Sequence, residues 1–316
     1  MRKMPGLCVG LDTSNYTTSA AVFDGARGEN RGRLLAVKPG ELGLRQSDAV
    51  FQHVKRLHQM MERLREDGLL GQIQAVGAST QPRAAEGSYM PCFLVGEGHG
   101  RTLAAALGVP FFPCSHQQGH IAAAAWSAGR ADLLDRPHLA WHLSGGTTEL
   151  LYVQPQGHLV QAQCVGGTQD LAAGQLVDRI GVAMGLPFPA GRGLDELSSQ
   201  SQWADCFPVK VREGYFSLSG MENKIREMLA GGTPRADAAR FTLETLAGAL
   251  LQATKWARER YGDLPLLCSG GVASNTLLRL RLAGVGAVFA PPEYSVDNAL
   301  GVAILAHRGL EREGSE

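Results

Sequence analysis

One local pattern occurs twice in this chain, and it narrows the possible folds more than any other feature. Leu7-Cys8-Val9-Gly10-Leu11 is a short apolar run. It is followed by the small, polar stretch Asp12-Thr13-Ser14-Asn15-Tyr16-Thr17-Thr18 and a second apolar run, Ala20-Ala21-Val22-Phe23, which ends in a turn at Asp24-Gly25. Far downstream, Leu139-Ala140-Trp141-His142-Leu143 passes through Ser144-Gly145-Gly146-Thr147-Thr148 into Leu150-Leu151-Tyr152-Val153. Short apolar runs bounded by small and polar residues read as strands. A strand, turn and strand repeated at this separation predicts two related lobes.

Helical periodicity fills the intervals. Ala49 to Leu64 carries apolar residues at helical spacing with basic residues opposite, and Phe241 to Tyr261 is a long amphipathic segment. Gly119 to Gly129 is Ala-rich, a helix is expected to start near Asn275, and Asn298 to Arg308 is helical in composition. Val76-Gly77-Ala78 and Leu266-Leu267-Cys268 read as further strands. Strands alternating with helices place the chain in the α/β class. The expected division is an N-terminal lobe, 1–135, with 298–316 packing back on it, and a C-terminal lobe, 136–297. The charged tail after Arg308 is expected to fray.

The 316 residues suffice for a large core. Formal net charge is zero, so the molecule as a whole does not attract a polyanion, and any nucleic-acid role must rest on a local patch or on partners. The cysteines Cys8, Cys92, Cys114, Cys164, Cys206 and Cys268 form no C-x-x-C pair and read as reduced thiols of a cytoplasmic protein. The apolar run behind Met1-Arg2-Lys3 is too short for a signal peptide, and the longest apolar run, near Ile121–Trp126, is too short to span a membrane.

Several motifs carry chemistry. Phosphate is cradled by backbone N–H groups in a concave turn free of side chains, a shape that Gly supplies. Ser144-Gly145-Gly146-Thr147, Ser269-Gly270-Gly271 and Gly166-Gly167-Thr168 are candidates, with tight-turn geometry as the plain alternative. His116-Gln117-Gln118-Gly119-His120 sets two imidazoles at i and i+4, on one face of a helix, where both can reach one metal ion, with a pair of surface or helix-packing histidines as the plain alternative on spacing alone. No Glu follows the first His, so a zinc-peptidase reading fails, and a third ligand must come from elsewhere. Asp170 and Asp178 are spaced to share a helix face, Asp195-Glu196 reads as a helix start, and Asp297-Asn298 can cap the last helix. Cys114 lies two residues from His116. On spacing alone His53, His58, His99, His138, His142, His158 and His307 have no comparable arrangement.

In order along the chain stand His116-x-x-x-His120, Ser144-Gly145-Gly146, Asp170-x-Ala172-Ala173-Gly174-x-x-x-Asp178 and Gly185-Leu186-Pro187-x-Pro189. They are followed by Phe216-Ser217-x-Ser219-Gly220, Gly270-Gly271-Val272-x-x-Asn275 and Asp297-Asn298-Ala299. Taken together, this series resembles the TsaD family, tRNA threonylcarbamoyladenosine transferases formerly called O-sialoglycoprotein endopeptidases. The resemblance implies an actin- and sugar-kinase-like (ASKHA) fold whose two duplicated lobes enclose a nucleotide cleft. It implies that His116, His120 and Asp297 hold one divalent transition metal, iron or zinc. It further implies that His142, Leu143, Ser144, Gly145, Gly146, Asp178, Gly191 and Asn275 contact ATP or an adenylate, and that tRNA is engaged through partner proteins. A homo- or heterodimer with a related subunit fits the same picture. No catalytic residue beyond the metal site is assigned.

The chain also departs from the family. Thr147-Thr148 stands in place of His-Thr, and Asn15-Tyr16-Thr17 contains none of the acidic residues expected after the first strand. Ala190-Gly191-Arg192 replaces Gly-Gly-Pro, Gln175 replaces Glu, Met221-Glu222 occupies a basic position, and Gln81–Tyr89 replaces a Gly-rich loop. These differences mark a divergent paralogue. The expected activity is transfer of a threonylcarbamoyl group from its adenylate to tRNA adenosine. The alternatives are transfer to a small molecule, or a nucleotide-binding subunit without catalysis.

Overall fold

Residues 6–37 and 44–314 are described by the structure, a computed structural model; Met1-Arg2-Lys3 lie outside them. Leu7–Thr13 (β1) and Thr17–Phe23 (β2) pair antiparallel, with Leu11 opposite Ala20. Past Leu7 both strands are wholly buried, which explains why they read as continuous apolar runs and not as alternating ones. Gly28–Leu34 (β3) extends the sheet antiparallel beyond β2. Ile73–Gln81 (β4) and Phe111–Ser115 (β5) add parallel strands beyond β1, giving the order β3-β2-β1-β4-β5.

Helices cover this sheet. Gln46–Glu66 (α1) buries Ala49, His53, Leu57, Met60 and Leu64, one face at steps of three and four residues. Phe93–Leu107 (α2) joins β4 to β5, and Ser115 caps His116–Ser127 (α3) by accepting from Gln118 N. The last helix, α9 (Leu300–Glu313), returns to this sheet and buries every residue from Leu300 to Ala306. It lies close because glycines face it. A Cβ at Gly10 on β1 would strike the α9 backbone, and a Cβ at Gly301 would strike the carbonyl of Gly119 on α3.

The second sheet has the order β11-β10-β6-β7-β8-β9. Its strands are His138–Leu143 (β6), Thr148–Gln156 (β7), Leu159–Thr168 (β8), Tyr215–Phe216 (β9), Leu266–Ser269 (β10) and Ala287–Phe289 (β11). Without β9 the order β8-β7-β6-β10-β11 repeats that of the first sheet, with β6 and β7 antiparallel and β6, β10 and β11 parallel. The doubled sequence pattern is a doubled sheet, and the α/β reading holds. Ala173–Ala183 (α4), Gly191–Ser198 (α5), Ser219–Ala230 (α6), Arg235–Tyr261 (α7) and Thr276–Ala283 (α8) belong with this sheet in sequence. Its core is built on Trp141, whose indole N–H donates to Thr254 of α7 at 2.9 Å. Contacts divide the chain into two compact units: Met1–Leu134, Pro155–Gln161 and Val296–Glu316 form one, Asp135–Gln154 and Ala162–Ser295 the other.

Some local expectations are corrected. The chain after Arg308 stays helical to Glu313, because Leu310 packs on the first unit's core and Glu311 lies 3.6 Å from His307. Gly166-Gly167-Thr168 is the end of β8, where Gly166 lies against the backbone of Gly214. Asp195-Glu196 lies inside α5, not at its start. Asp170 precedes α4 while Asp178 is on it, so the two share no helix face. The helix near Asn275 begins at Thr276, with the Asn275 carboxamide oxygen accepting from Leu278 N.

Candidate metal centre and phosphate-binding turn

His116 opens α3 and His120 follows one turn later, so both imidazoles project from one face. Asp297 arrives from the segment just before α9. The close approach of α9 to α3 at Gly301 and Gly119 fixes their relation. His116 Nε2 is 2.9 Å from His120 Nε2, and the Asp297 carboxylate oxygen Oδ1 lies 3.6 Å and 3.4 Å from them. One donor atom from each residue falls within 4.8 Å of the others. Donors about 2.1 Å from a common centre, at tetrahedral or octahedral angles, stand about 3.0–3.4 Å apart. The set therefore fits one transition-metal ion in both spacing and chemistry, two imidazoles and a carboxylate.

Asp12, at the end of β1, is fully buried, and its Oδ2 lies 2.7 Å from His116 Nδ1. With a metal ion in place of the Nε2 proton, an Nδ1–H donated to this carboxylate would leave Nε2 as the ligand atom facing His120 and Asp297. Burial works to lower the His116 pKa, but the charges and hydrogen bonds of Asp12 and Asp297 prevail and push it up to about 10. Burial likewise works to raise the Asp297 carboxyl, and the two imidazoles hold it far below the usual carboxylate range. The charge of this cluster is thus settled by mutual attraction among partly buried groups. Asp297 Oδ2 accepts from the hydroxyls of Ser14 and Thr17. The segment where the resemblance leads one to expect acids thus meets Asp297 with hydroxyls.

Sequence reasoning missed Asp12, Ser14, Thr17 and His53. A carboxylate closing an otherwise apolar, buried strand was the available signal for Asp12. His53 bridges Thr18 Oγ1 and the Ser14 carbonyl from within α1, a contact no spacing rule reveals. Cys114, singled out for its nearness to His116, is buried at the end of β5, and desolvation pushes its thiol up, so it is no nucleophile.

In the second unit, Ser144-Gly145-Gly146-Thr147 closes the β6–β7 hairpin: Ser144 N donates to Thr147 O and Thr147 N to Ser144 Oγ. Gly145 and Gly146 are exposed, and the space where a side chain would sit is open at both. The N-terminus of α4 lies directly against this turn, since a Cβ on Gly174 would strike Gly145 and the Ser144 carbonyl. A helix N-terminus beside an open glycine turn favours an anion. His142 precedes the turn on β6, 3.4 Å from Ser269 Oγ, and Leu143 is buried against Gly270. Asp178 plays a structural part, since its Oδ1 accepts from Ala190 N and ties α4 to the loop leading into Gly191. Asn275 spends its carboxamide oxygen on the cap of α8. Glu222, at the expected basic position, pairs with Arg179 and Arg226.

The fold and this cluster define a class: an α/β protein of the actin and sugar-kinase type with a histidine and carboxylate centre. It resembles the crystal structure of full-length HypF with a TM-score of 0.60 and 12% identity, over 98% of this chain and 56% of that one. It resembles the ROK hexokinase of Thermus thermophilus with a TM-score of 0.51 and 18% identity, over 97% and 99%. The chain thus spans little more than half of HypF, and both likenesses show the fold alone. Residues 40–304 match the TsaD family, tRNA N6-adenosine threonylcarbamoyltransferase, and the chain belongs to that family. The tRNA N6-adenosine threonylcarbamoyltransferase of Thermus thermophilus is 35% identical over 267 residues, 83% of this chain and 79% of that relative. The enzyme of the same name from Streptococcus thermophilus is 34% identical over 259 residues, 77% and 73%. No helix among the described residues is long and apolar enough to cross a membrane.

Proposed function

We propose that this chain transfers a threonylcarbamoyl group from threonylcarbamoyl-adenylate to the N6 amine of a tRNA adenosine. The observation that carries this reading is the convergence of His116, His120 and Asp297 in a chain of the TsaD family. Those three residues would hold one divalent transition-metal ion, iron or zinc. Bound there, it would supply Lewis-acid polarisation of the transferred carbonyl and a counter-charge for phosphate oxygens. Asp12 keeps the His116 ring in one tautomer and one orientation, and Ser14 with Thr17 orients Asp297. For the nucleotide part of the donor, the reading assigns His142, Leu143, Ser144, Gly145 and Gly146, with Asp178, Gly191 and Asn275. The open turn and the start of α4 would take phosphate, and holding the donor in place lowers the entropic part of the barrier.

Acceptor tRNA is held with partner proteins in this reading, and a dimer with a related subunit is one such arrangement. The test supplies the chain, together with candidate partner proteins, with threonylcarbamoyl-adenylate and unmodified tRNA, followed by mass spectrometry of the nucleosides. Formation of threonylcarbamoyladenosine that is lost in His116→Ala/His120→Ala is expected. Consumption of the adenylate with the group found on a small-molecule amine would overturn the tRNA assignment.

A further inference from the structure

We propose that the turn between β1 and β2 is a clamp that fixes the Asp297 carboxylate, with Ser14 and Thr17 as positioning residues; this rests on the metal reading above. Ser14 Oγ donates to Asp297 Oδ2 at 3.3 Å, and Thr17 Oγ1 donates to the same oxygen at 3.4 Å. Both residues are nearly sealed from solvent, at 4% and 5% exposure. A buried hydroxyl needs an acceptor, and here both turn to a single oxygen. The other carboxylate oxygen, Oδ1, is left facing the two imidazoles at 3.6 Å and 3.4 Å. A free carboxylate can rotate and offer either oxygen or both. One whose Oδ2 is occupied offers Oδ1 alone.

The same turn reaches the other side of the centre. Ser14 N donates to Asp12 Oδ1 at 2.9 Å, which leaves Asp12 Oδ2 for His116 Nδ1 at 2.7 Å. One short segment therefore orients Asp297 directly and His116 through Asp12. The turn is itself anchored. His53 joins Thr18 Oγ1 at 2.8 Å and the Ser14 carbonyl at 2.9 Å, Gln46 donates to Asn15 Oδ1, and Leu35 N donates to Tyr16 O at 2.8 Å. Partners that fix the rotation of metal ligands affect affinity even without touching the ion.

The probe is Co2+, titrated into metal-free protein in competition with a chelator while visible absorption is recorded. Wild type is expected to bind one Co2+, and His116→Ala/His120→Ala is expected to lose it. Ser14→Ala/Thr17→Val should bind about 10–100-fold more weakly and show shifted visible bands, because Asp297 is free to turn its second oxygen inward. Thr17→Ser keeps the hydroxyl and should restore the wild-type spectrum and affinity. Thr17→Val preserves side-chain shape, and circular dichroism without metal reports folding. If the double variant does not fold, Thr17→Val alone should show weakened binding and the spectral shift. A folded Ser14→Ala/Thr17→Val or Thr17→Val with unchanged affinity and spectrum overturns the clamp. A wild type that takes up no Co2+, or a His116→Ala/His120→Ala that binds as well as wild type, overturns the metal reading instead.

Discussion

His116 is the residue on which the centre turns, and its behaviour depends on a partner 104 positions away. Asp12→Asn keeps the shape of that partner and removes its charge. Loss of about 10–100-fold in metal affinity is expected, measured by chelator competition, because the imidazole loses the carboxylate that fixes its tautomer and raises its basicity. His53 makes a different forecast. Burial, only partly offset by the Ser14 carbonyl and the Asp12 charge, lowers its pKa from 6.5 to about 4. The folded value lies below the unfolded one, so the folded state resists protonation. Its contribution is intact above about pH 6.5 and is lost as the pH falls towards 4, by up to about 3 kcal/mol. Urea unfolding from pH 7 to 4 measures this. His53→Leu should be less stable at pH 7 yet show a flatter profile, and an equally steep fall would refute the assignment.

Glycines decide how elements meet. In Gly301→Ala the new methyl group meets the Gly119 carbonyl, so α9 must move off α3 and carry Asp297 away from the histidines. Destabilisation of about 1–3 kcal/mol is expected, with weaker metal binding, read by thermal melting and metal titration. Gly146 and Gly174 form a contrasting pair. Gly146→Val projects into open space and should fold with a stability change of about 0.5 kcal/mol or less, yet block phosphate. Gly174→Val instead wedges α4 away from the turn and should destabilise by several times that amount. ATP at about a hundred times its dissociation constant adds about 2.7 kcal/mol of stability. A folded Gly146→Val that shows the same ATP-dependent melting shift as wild type would show that the turn does not hold phosphate. The i, i+4 pair on α3 and the glycine turn after β6 were legible in sequence because each is local. The loop tie made by Asp178 and the clamp of Asp170 on Leu218 and Ser219 were not, since their partners lie outside any periodic pattern.

A whole molecule of zero formal charge has no long-range pull on RNA, and Glu222 with its two arginine partners adds no surplus where a basic residue was expected. Each phosphate neutralised contributes about 0.7–0.9 to the salt slope of nucleic-acid binding. The isolated chain is therefore expected to bind tRNA weakly, with a slope of only a few contacts, when measured at two salt concentrations near physiological strength. Submicromolar affinity with a slope of about six or more contacts would show that the chain recognises tRNA unaided.

The sequence by itself determined the α/β class, the doubled strand–turn–strand framework, the family, and the two histidines with their shared face. All of these are set by short-range spacing or by the order of motifs along the chain. Tertiary structure alone decided that Asp12 sits behind His116, that Ser14 and Thr17 face Asp297, and that α9 comes near enough to α3 to bring His116, His120 and Asp297 together. The physical reason is that these relations depend on which buried polar groups find partners and on where a missing side chain lets two backbones touch. Both are properties of packing between segments far apart along the chain.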